Sequence, residues 1–262
     1  MDTLGLQKQN LERLSSTGAF MFTDTFFPYT SGKIGPYFVQ SASVTSDSDA
    51  YYHAIKGMAG LIEFKNLGFD VIGGGETRDW VFSYPLSYEL EVPHYSLYKN
   101  GKNFGADLKG KKVLWVADLN NEGSSMRDSW VPMVQEAGGI ITDVLFYVDR
   151  REAGVQVVKD LGLRSHAVVN LDEGAWEDLQ EIKDSGVTPK IYDSLCERQE
   201  DPEKWAINML RSDAGANAFF RFYVDEKSRE KAKNILDVGY PDMKDEVMVG
   251  LENKLRKAGM TL

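Results

Sequence analysis

Apolar positions along the chain switch between a helical and an alternating or continuous period. In residues 2–17, Leu4, Leu11 and Leu14 share one helical face, and Gly18 closes the run. Residues 19–44 are rich in aromatics, Thr, Gly and Pro and predict short strands and turns. A helix is expected over 47–66, where Ala54, Ile55, Met58, Leu61 and Ile62 recur at helical spacing. Ser46 and Asp49 stand at capping-box spacing at its start, and Gly68 at its end. Next comes a strand, 69–72, which runs into Gly73-Gly74-Gly75. A helix over 79–89 follows, which Pro85 is expected to kink or shorten.

Residues 92–98 predict a short strand and 101–110 a polar loop. The run KVLWVAD (112–118) is apolar on both faces and predicts a buried strand. A helix to about 137 follows, with Ser125 and Asp128 as candidate caps, or else a later start at 129 that puts Pro132 in the first turn. Strands at 140–148 and 166–170 alternate with helices at 155–161 and 177–184. Strands alternating with helices predict an α/β fold, a mostly parallel central sheet flanked by helices. From about residue 189 the pattern becomes helical. Asp201-Pro202-Glu203 is a helix start, and further helices are expected over 226–236 and 244–257. The expected organisation is an α/β domain over 1–188, including the N-terminal helix and a hood-like segment 19–44, and a helical C-terminal extension over 189–262.

The 262 residues are 42% hydrophobic and 27% charged, an ordinary globular composition. No apolar run approaches the roughly 20 residues of a membrane helix, and the opening MDTLGLQKQNLERL lacks the basic stretch and apolar core of a signal peptide. Cys196 is the only cysteine, so no intrachain disulfide forms, and a cytoplasmic protein is expected. A net charge of −10 argues against a nucleic-acid partner. Against that background Lys99, Lys102, Lys109, Lys111 and Lys112 crowd one stretch with a single acid, Asp107. This stretch is either a solvated loop or a site for an anionic ligand.

Ligands of such sheets bind beyond the carboxyl ends of the strands, which directs attention to three loops. Residues 73–80 (GGGETRDW) form either a tight turn or an anion cradle in which Arg78 pairs with a phosphate. Residues 118–125 (DLNNEGSS) end a buried strand in an acid and open a helix. Asp118 there suits sugar hydroxyls and Ser124 and Ser125 suit a monophosphate, or else Ser125 merely caps the helix. Residues 149–152 (DRRE) offer arginines to a carboxylate, or form a surface ion-pair cluster.

The order and spacing of these segments resemble the type I phosphoribosyltransferases. The segment 113–125 is similar to their phosphoribosyl-diphosphate motif: a hydrophobic strand, two acids, a hydrophobic pair and a Thr/Gly/Ser phosphate loop. Within the family, orotate phosphoribosyltransferases match best. Their N-terminal signature resembles Thr30-Ser31-Gly32-Lys33-Ile34-Gly35-Pro36-Tyr37-Phe38. Their mobile catalytic loop resembles Tyr98-Lys99-Asn100-Gly101-Lys102-Asn103-Phe104-Gly105, and their Asp-Arg-x-Glu signature matches Asp149-Arg150-Arg151-Glu152. The resemblance covers roughly residues 2–185.

It implies a pentosyltransferase of pyrimidine nucleotide biosynthesis, in which orotate attacks C1 of phosphoribosyl diphosphate and pyrophosphate leaves with Mg²⁺. Lys99 and Lys102 would contact the pyrophosphate and Asp118 the ribose hydroxyls, as the catalytic set. Arg78 would stand where the family has a lysine in its pyrophosphate loop. Gly123, Ser124 and Ser125 would cradle the 5′-phosphate with Asn121 and Glu122 beside them. Arg150 would meet the orotate carboxylate. Lys33 belongs to the substrate-binding signature, and Tyr37 and Phe38 would flank the base. No protein metal ligand is implied beyond an indirect part for Asp118. A homodimer sharing its mobile loop is expected by the same resemblance, with no membrane partner.

The chain departs from the family pattern at several of these positions. Ala117 replaces the first acid of the pair, and Asn121 and Glu122 the Thr and small residue of the phosphate loop. Tyr98 and Phe104 replace the loop arginine and histidine, and Thr30 a lysine. Two alternatives therefore stand beside orotate transfer. One is a phosphoribosyltransferase for another base. The other is a catalytically inactive homologue that binds a nucleotide or sugar phosphate in a regulatory role.

Overall fold

The structure is a computed structural model that describes residues 3–257 and Gly259. The first residue of the expected 2–17 helix and the remaining C-terminal positions of the 189–262 extension lie outside the described residues. In chain order the elements are α1 (Thr3–Ser16), β1 (Phe20–Pro28), β2 (Ile34–Val39), a 3-10 turn (Ser41–Ser46), α2 (Ser48–Lys65), β3 (Val71–Gly75), α3 (Arg78–Glu89), β4 (His94–Leu97), β5 (Asn103–Gly105) and β6 (Lys112–Asn120). A π-type turn (Met126–Trp130) then leads into α4 (Val131–Glu136), followed by β7 (Ile140–Asp149), α5 (Ala153–Asp160), β8 (Arg164–Asn170) and α6 (Glu173–Glu181). The remainder is helical: α7 (Pro189–Glu200), α8 (Pro202–Arg211), α9 (Asp213–Val224), α10 (Arg229–Asn234) and α11 (Lys244–Lys257), with short turns before the last.

These elements group into two compact units. One holds the chain up to Ala19 together with Gln40–Ile182; the other holds Phe20–Val39 and the chain from Lys183 onward. The sequence boundary drawn at 188/189 falls six residues from the Ile182/Lys183 division. Of the segment 19–44, read as a hood on the α/β domain, residues 20–39 group with the C-terminal helices, and Ala19 and residues 40–44 stay with the first unit.

In the first unit six strands form a sheet of order β5-β4-β3-β6-β7-β8, parallel throughout except for the edge pair β4/β5. β6 explains why the sheet carries a helix layer on each face. Val113, Trp115 and Ala117 pack into an apolar cluster with Met126, Trp130, Val131, Val134 and Val158 from the β6–α5 segments. Side chains alternate along a strand, so Leu114, Val116 and Asp118 turn to the opposite face, where α3 packs against β3 and β6.

Local sequence chemistry sets several boundaries differently from the pattern. Asp47, not Ser46, caps α2: its carboxylate accepts from the Ala50 N–H at 2.8 Å. Asn66 in the left-handed region ends that helix before Gly68 is reached. α3 runs through Pro85. A proline leaves the carbonyl four residues earlier without its helical donor, and here the Tyr51 hydroxyl donates to that Val81 carbonyl. Neither Ser125 nor Asp128 caps the next helix. The chain instead forms a wide turn over Met126–Trp130, and Pro132 occupies the first turn of α4, where its missing N–H costs nothing.

The second unit pairs β1 with β2 antiparallel and packs them with the C-terminal helices. Phe26 and Ile34 share one core with Trp205, Leu210, Phe219, Ile235, Leu236, Tyr240, Leu251 and Leu255. The tail thus has an apolar centre of its own. Asp201 caps α8 by accepting from the Lys204 N–H at 2.9 Å, at the predicted start. α7 and α9 begin at Thr188-Pro189 and Ser212-Asp213, capping signals of the same kind that the pattern reading passed over.

Candidate functional site

The parallel strands end together. Leu97 at the end of β4 lies in register with Gly75 at the end of β3, and Asn120 at the end of β6 with Asp149 at the end of β7. The loops that leave these ends carry Lys99 and Lys102, Arg78, the 121–125 segment and Arg150. One edge of the sheet therefore gathers the cations, the acid Asp118 and the start of a helix, as the placement rule for α/β sheets requires.

The glycines of the β3 loop serve a different purpose from the one their sequence suggests. All three are buried residues of β3. A Cβ on Gly73 would lie 2.8 Å from the Trp115 ring; one on Gly74 would overlap Ser83, and one on Gly75 would overlap Trp130. They are small because two stacked indoles, Trp115 and Trp130, and the α3 helix press on the strand. The turn that remains is Glu76-Thr77, joined by a cis peptide; Glu76 is half-buried, Thr77 is exposed, and exposed Arg78 opens α3.

Asp79, the next residue, points inward and is 8% exposed. Its carboxyl oxygens accept from the Gly75 N–H and the Asp118 N–H, each at 3.2 Å. Asp118, 9% exposed, accepts from the Ser41 hydroxyl at 2.8 Å. Burial and the neighbouring Asp118 charge push the Asp79 carboxyl well above the usual carboxylate range. Burial also raises Asp118, opposed by the Ser41 hydrogen bond and the nearby Arg78 charge. Ala117 lies on the other face, 5% exposed within the Trp115/Trp130 cluster.

Lys99 and Lys102 sit on a short hairpin. The Tyr98 N–H donates to the Lys102 carbonyl at 2.8 Å, and the Gly101 N–H to the Tyr98 carbonyl at 3.0 Å. The Lys99 N–H donates to the Glu76 carboxylate at 3.0 Å, tying this hairpin to the β3 turn. Tyr98 packs edge-on against Trp80 at 4.8 Å, and Phe104 against Tyr98 at 6.1 Å. The two aromatics that replace the family's loop arginine and histidine thus anchor the hairpin. Both lysines are exposed, and neither has an ion-pair partner among the described residues.

Beyond Asp118, Asn120 is buried and donates to Asp149 at 3.2 Å, while its own side-chain oxygen has no donor among the described residues. Gly123 takes φ +69°, a conformation that favours glycine, against Val157 and Gly154. Ser124 and Ser125 are exposed in the first helical turn, and Asn121 and Glu122 are half-buried before them. Burial raises the Asp149 carboxyl, which accepts from the Arg151 N–H at 2.7 Å. Arg150 turns inward: it is 6% exposed and pairs with Glu152 at 2.9 Å, while Arg151 is exposed.

Lys33, Tyr37 and Phe38 belong to the second unit. There Lys33 pairs with Glu203 at 3.1 Å and donates to the Gly239 carbonyl at 3.0 Å. Tyr37 is buried under the guanidinium of Arg198, and Phe38 is partly exposed. Sequence reasoning missed Asp79, Ser41, Glu76 and Asn120. Asp79 had one legible signal, an acid in the first helical turn directly after a strand that faces Asp118.

Among the described residues no group of three His, Cys, Asp or Glu side chains is placed to hold a metal. None of the described helices is long and apolar enough to cross a membrane.

No protein-family model matches the chain. An orotate phosphoribosyltransferase from Sulfolobus acidocaldarius is 28% identical over 153 residues, 56% of this chain and 76% of that protein. An adenine phosphoribosyltransferase from Pseudoalteromonas translucida is 31% identical over 143 residues, 47% of this chain and 77% of that protein. Among solved structures, UMP synthase from Leishmania donovani superposes on 74% of this chain with a TM-score of 0.65 at 18% identity. The match spans 42% of that longer protein and carries the fold alone. With the ordered motifs at one sheet edge, these relatives show that the chain belongs to the type I phosphoribosyltransferase family.

Proposed function

We propose that this protein transfers the 5-phosphoribosyl group from phosphoribosyl diphosphate to orotate, forming orotidine 5′-phosphate and pyrophosphate. The observation that carries the reading is the gathering of Lys99, Lys102, Arg78, Asp118 and the 123–125 helix start on loops from adjacent strand ends. In the reaction, orotate N1 bonds to ribose C1 as the C1–O bond to the diphosphate breaks, and pyrophosphate departs with the electron pair. Positive charge grows on the ribose and negative charge on the leaving group. Arg78, Lys99 and Lys102 neutralise the latter, each such contact contributing on the order of 3 kcal/mol. Asp118 accepts from the ribose hydroxyls. The first-turn N–H groups and the hydroxyls of Ser124 and Ser125 hold the 5′-phosphate, where the helix dipole favours an anion. Mg²⁺ belongs to the substrate, arriving bound to the diphosphate. The family resemblance extends the proposal to a homodimeric, cytoplasmic enzyme of pyrimidine nucleotide biosynthesis.

Arg150 suits the orotate carboxylate only if its pair with Glu152 opens. That pairing, the apolar surroundings of Ala117 and the aromatic anchors Tyr98 and Phe104 favour a second reading: a homologue that binds the sugar phosphate without transferring it. A phosphoribosyltransferase acting on another base is a third arm of the same test. Orotate consumption is followed by absorbance with phosphoribosyl diphosphate and Mg²⁺, with adenine and other bases in parallel. The proposal expects turnover with orotate and a loss of about a hundredfold in Lys102→Ala. Turnover with another base alone, or with none, overturns it.

A further inference from the structure

We propose that Asp79 supplies the second carboxyl of the sugar-binding acid pair and acts as a positioning residue that holds Asp118 for the ribose hydroxyls. The inference rests on the phosphoribosyl reading of the site and deepens it.

The family pattern places two acids in succession at the end of the central strand, and here the first is Ala117. Neighbouring residues of a strand face opposite sides. The Ala117 side chain is packed with Trp115, Met126 and Trp130, which leaves no polar environment for an acid there. Glu122, the other acid near this motif, makes no hydrogen bond or ion pair among the described residues. It lies in the loop four residues after Asp118.

Asp79 has the contacts that Glu122 lacks. Its carboxyl bridges the Gly75 N–H on β3 and the Asp118 N–H on β6. These are the adjacent strands whose loops carry Arg78 and the phosphate segment. One side chain therefore sets the spacing between the diphosphate end and the sugar end of the site. Asp118 is then fixed from two directions, by the Asp79 carboxyl at its backbone and by the Ser41 hydroxyl at its own carboxylate. A carboxylate held in one rotamer loses no conformational freedom when it meets a sugar hydroxyl.

The test is calorimetric titration of phosphoribosyl diphosphate with Mg²⁺ into wild type, Asp79→Ala, Asp79→Ser and Asp79→Asn, each melted to establish that it is folded. Serine keeps a polar group at the helix start but is too short to bridge both N–H groups, so it serves if the alanine variant fails to fold. Asp79→Ala or Asp79→Ser is expected to weaken binding about tenfold or more, the worth of one buried hydrogen bond. Asp79→Asn, which retains the shape and one of the two acceptors, can still hold the Asp118 N–H and is expected to weaken binding less than Asp79→Ala does. Val144→Ala, a core truncation in β7 that does not touch the pair, controls for destabilisation and is expected to bind as wild type does. Wild-type affinity in Asp79→Ala or Asp79→Ser overturns the inference alone. Equal loss in Val144→Ala also overturns it, because the effect is then one of stability. No binding by wild type overturns the phosphoribosyl reading, and the inference falls with it.

Discussion

Replacing Ala117 by glutamate restores the acid that the family pattern has at this position, and on sequence grounds it is the repair most worth trying. The structure predicts the opposite of repair. Ala117 is 5% exposed and packs beside the Trp115/Trp130 pair, whose rings stack at 5.7 Å. A glutamate there brings one further methylene and a carboxylate into a filled apolar cluster. Overpacking alone costs about 1–3 kcal/mol, and a buried carboxyl without partners adds roughly 2–4 kcal/mol, even when it takes up a proton to shed its charge. The expected loss is about 3–7 kcal/mol, or on the order of 10 °C in melting temperature for a chain of this size. Melting curves at neutral pH, with phosphoribosyl diphosphate titrations on the same samples, give the comparison. An Ala117→Glu variant that melts within about 2 °C of wild type, a shift that corresponds to less than about 1 kcal/mol, and binds the sugar diphosphate more tightly refutes the placement of residue 117 in the apolar cluster.

Two other substitutions and a pH series probe the same framework. Gly75→Ala sets a methyl against Trp130 and 3.0 Å from the Asp79 carboxyl, and is expected to cost about 2–3 kcal/mol in urea unfolding; Gly68→Ala, which meets nothing within 4 Å, is expected to be neutral within about 0.5 kcal/mol. Equal stability of the two variants would show that β3 has room for side chains. His94 bonds Ser83 at 2.9 Å and Ser96 at 3.0 Å under the Tyr84 ring, and burial lowers its pKa to about 4. The unfolded imidazole binds a proton near pH 6.5, so the folded state binds fewer protons between these values. Stability is fully present above about pH 6.5 and falls as the pH drops towards 4, by about 1–2 kcal/mol after allowance for partial exposure. His94→Gln should flatten that part of the urea-midpoint profile, and an unchanged slope would assign the acid sensitivity to other groups.

The alternation of buried strands with amphipathic helices was enough to predict a mostly parallel sheet flanked by helices and to direct attention to the loops after β3, β6 and β7. KVLWVAD could hardly be anything but a central strand. What the pattern could not carry were contacts between residues distant in the chain. Pro85 reads as a helix breaker until Tyr51, 34 residues earlier, takes the stranded Val81 carbonyl. Gly73-Gly74-Gly75 reads as either a tight turn or an anion cradle until Trp115, Ser83 and Trp130 are seen to leave no room for side chains there. Phe26 and Ile34 are plainly apolar, but nothing local says that their core partners are Trp205, Phe219 and Ile235. A motif names candidate chemistry at Asp118 and Ser124-Ser125, and these residues stand at the carboxyl end of β6, where the pattern predicts them. The site was not legible at Asp79, whose meaning depends on a hydrogen bond across two strands.

The most direct test of the central claim is calorimetric titration of phosphoribosyl diphosphate with Mg²⁺ into the wild-type chain and into Asp118→Asn, with orotate then added to each. The account predicts saturable binding to wild type that weakens in Asp118→Asn by about tenfold or more, the worth of a charge-assisted hydrogen bond to the sugar, followed by orotate consumption in the wild-type sample. Absence of binding to the folded wild-type protein would contradict it and leave a phosphoribosyltransferase fold without its ligand.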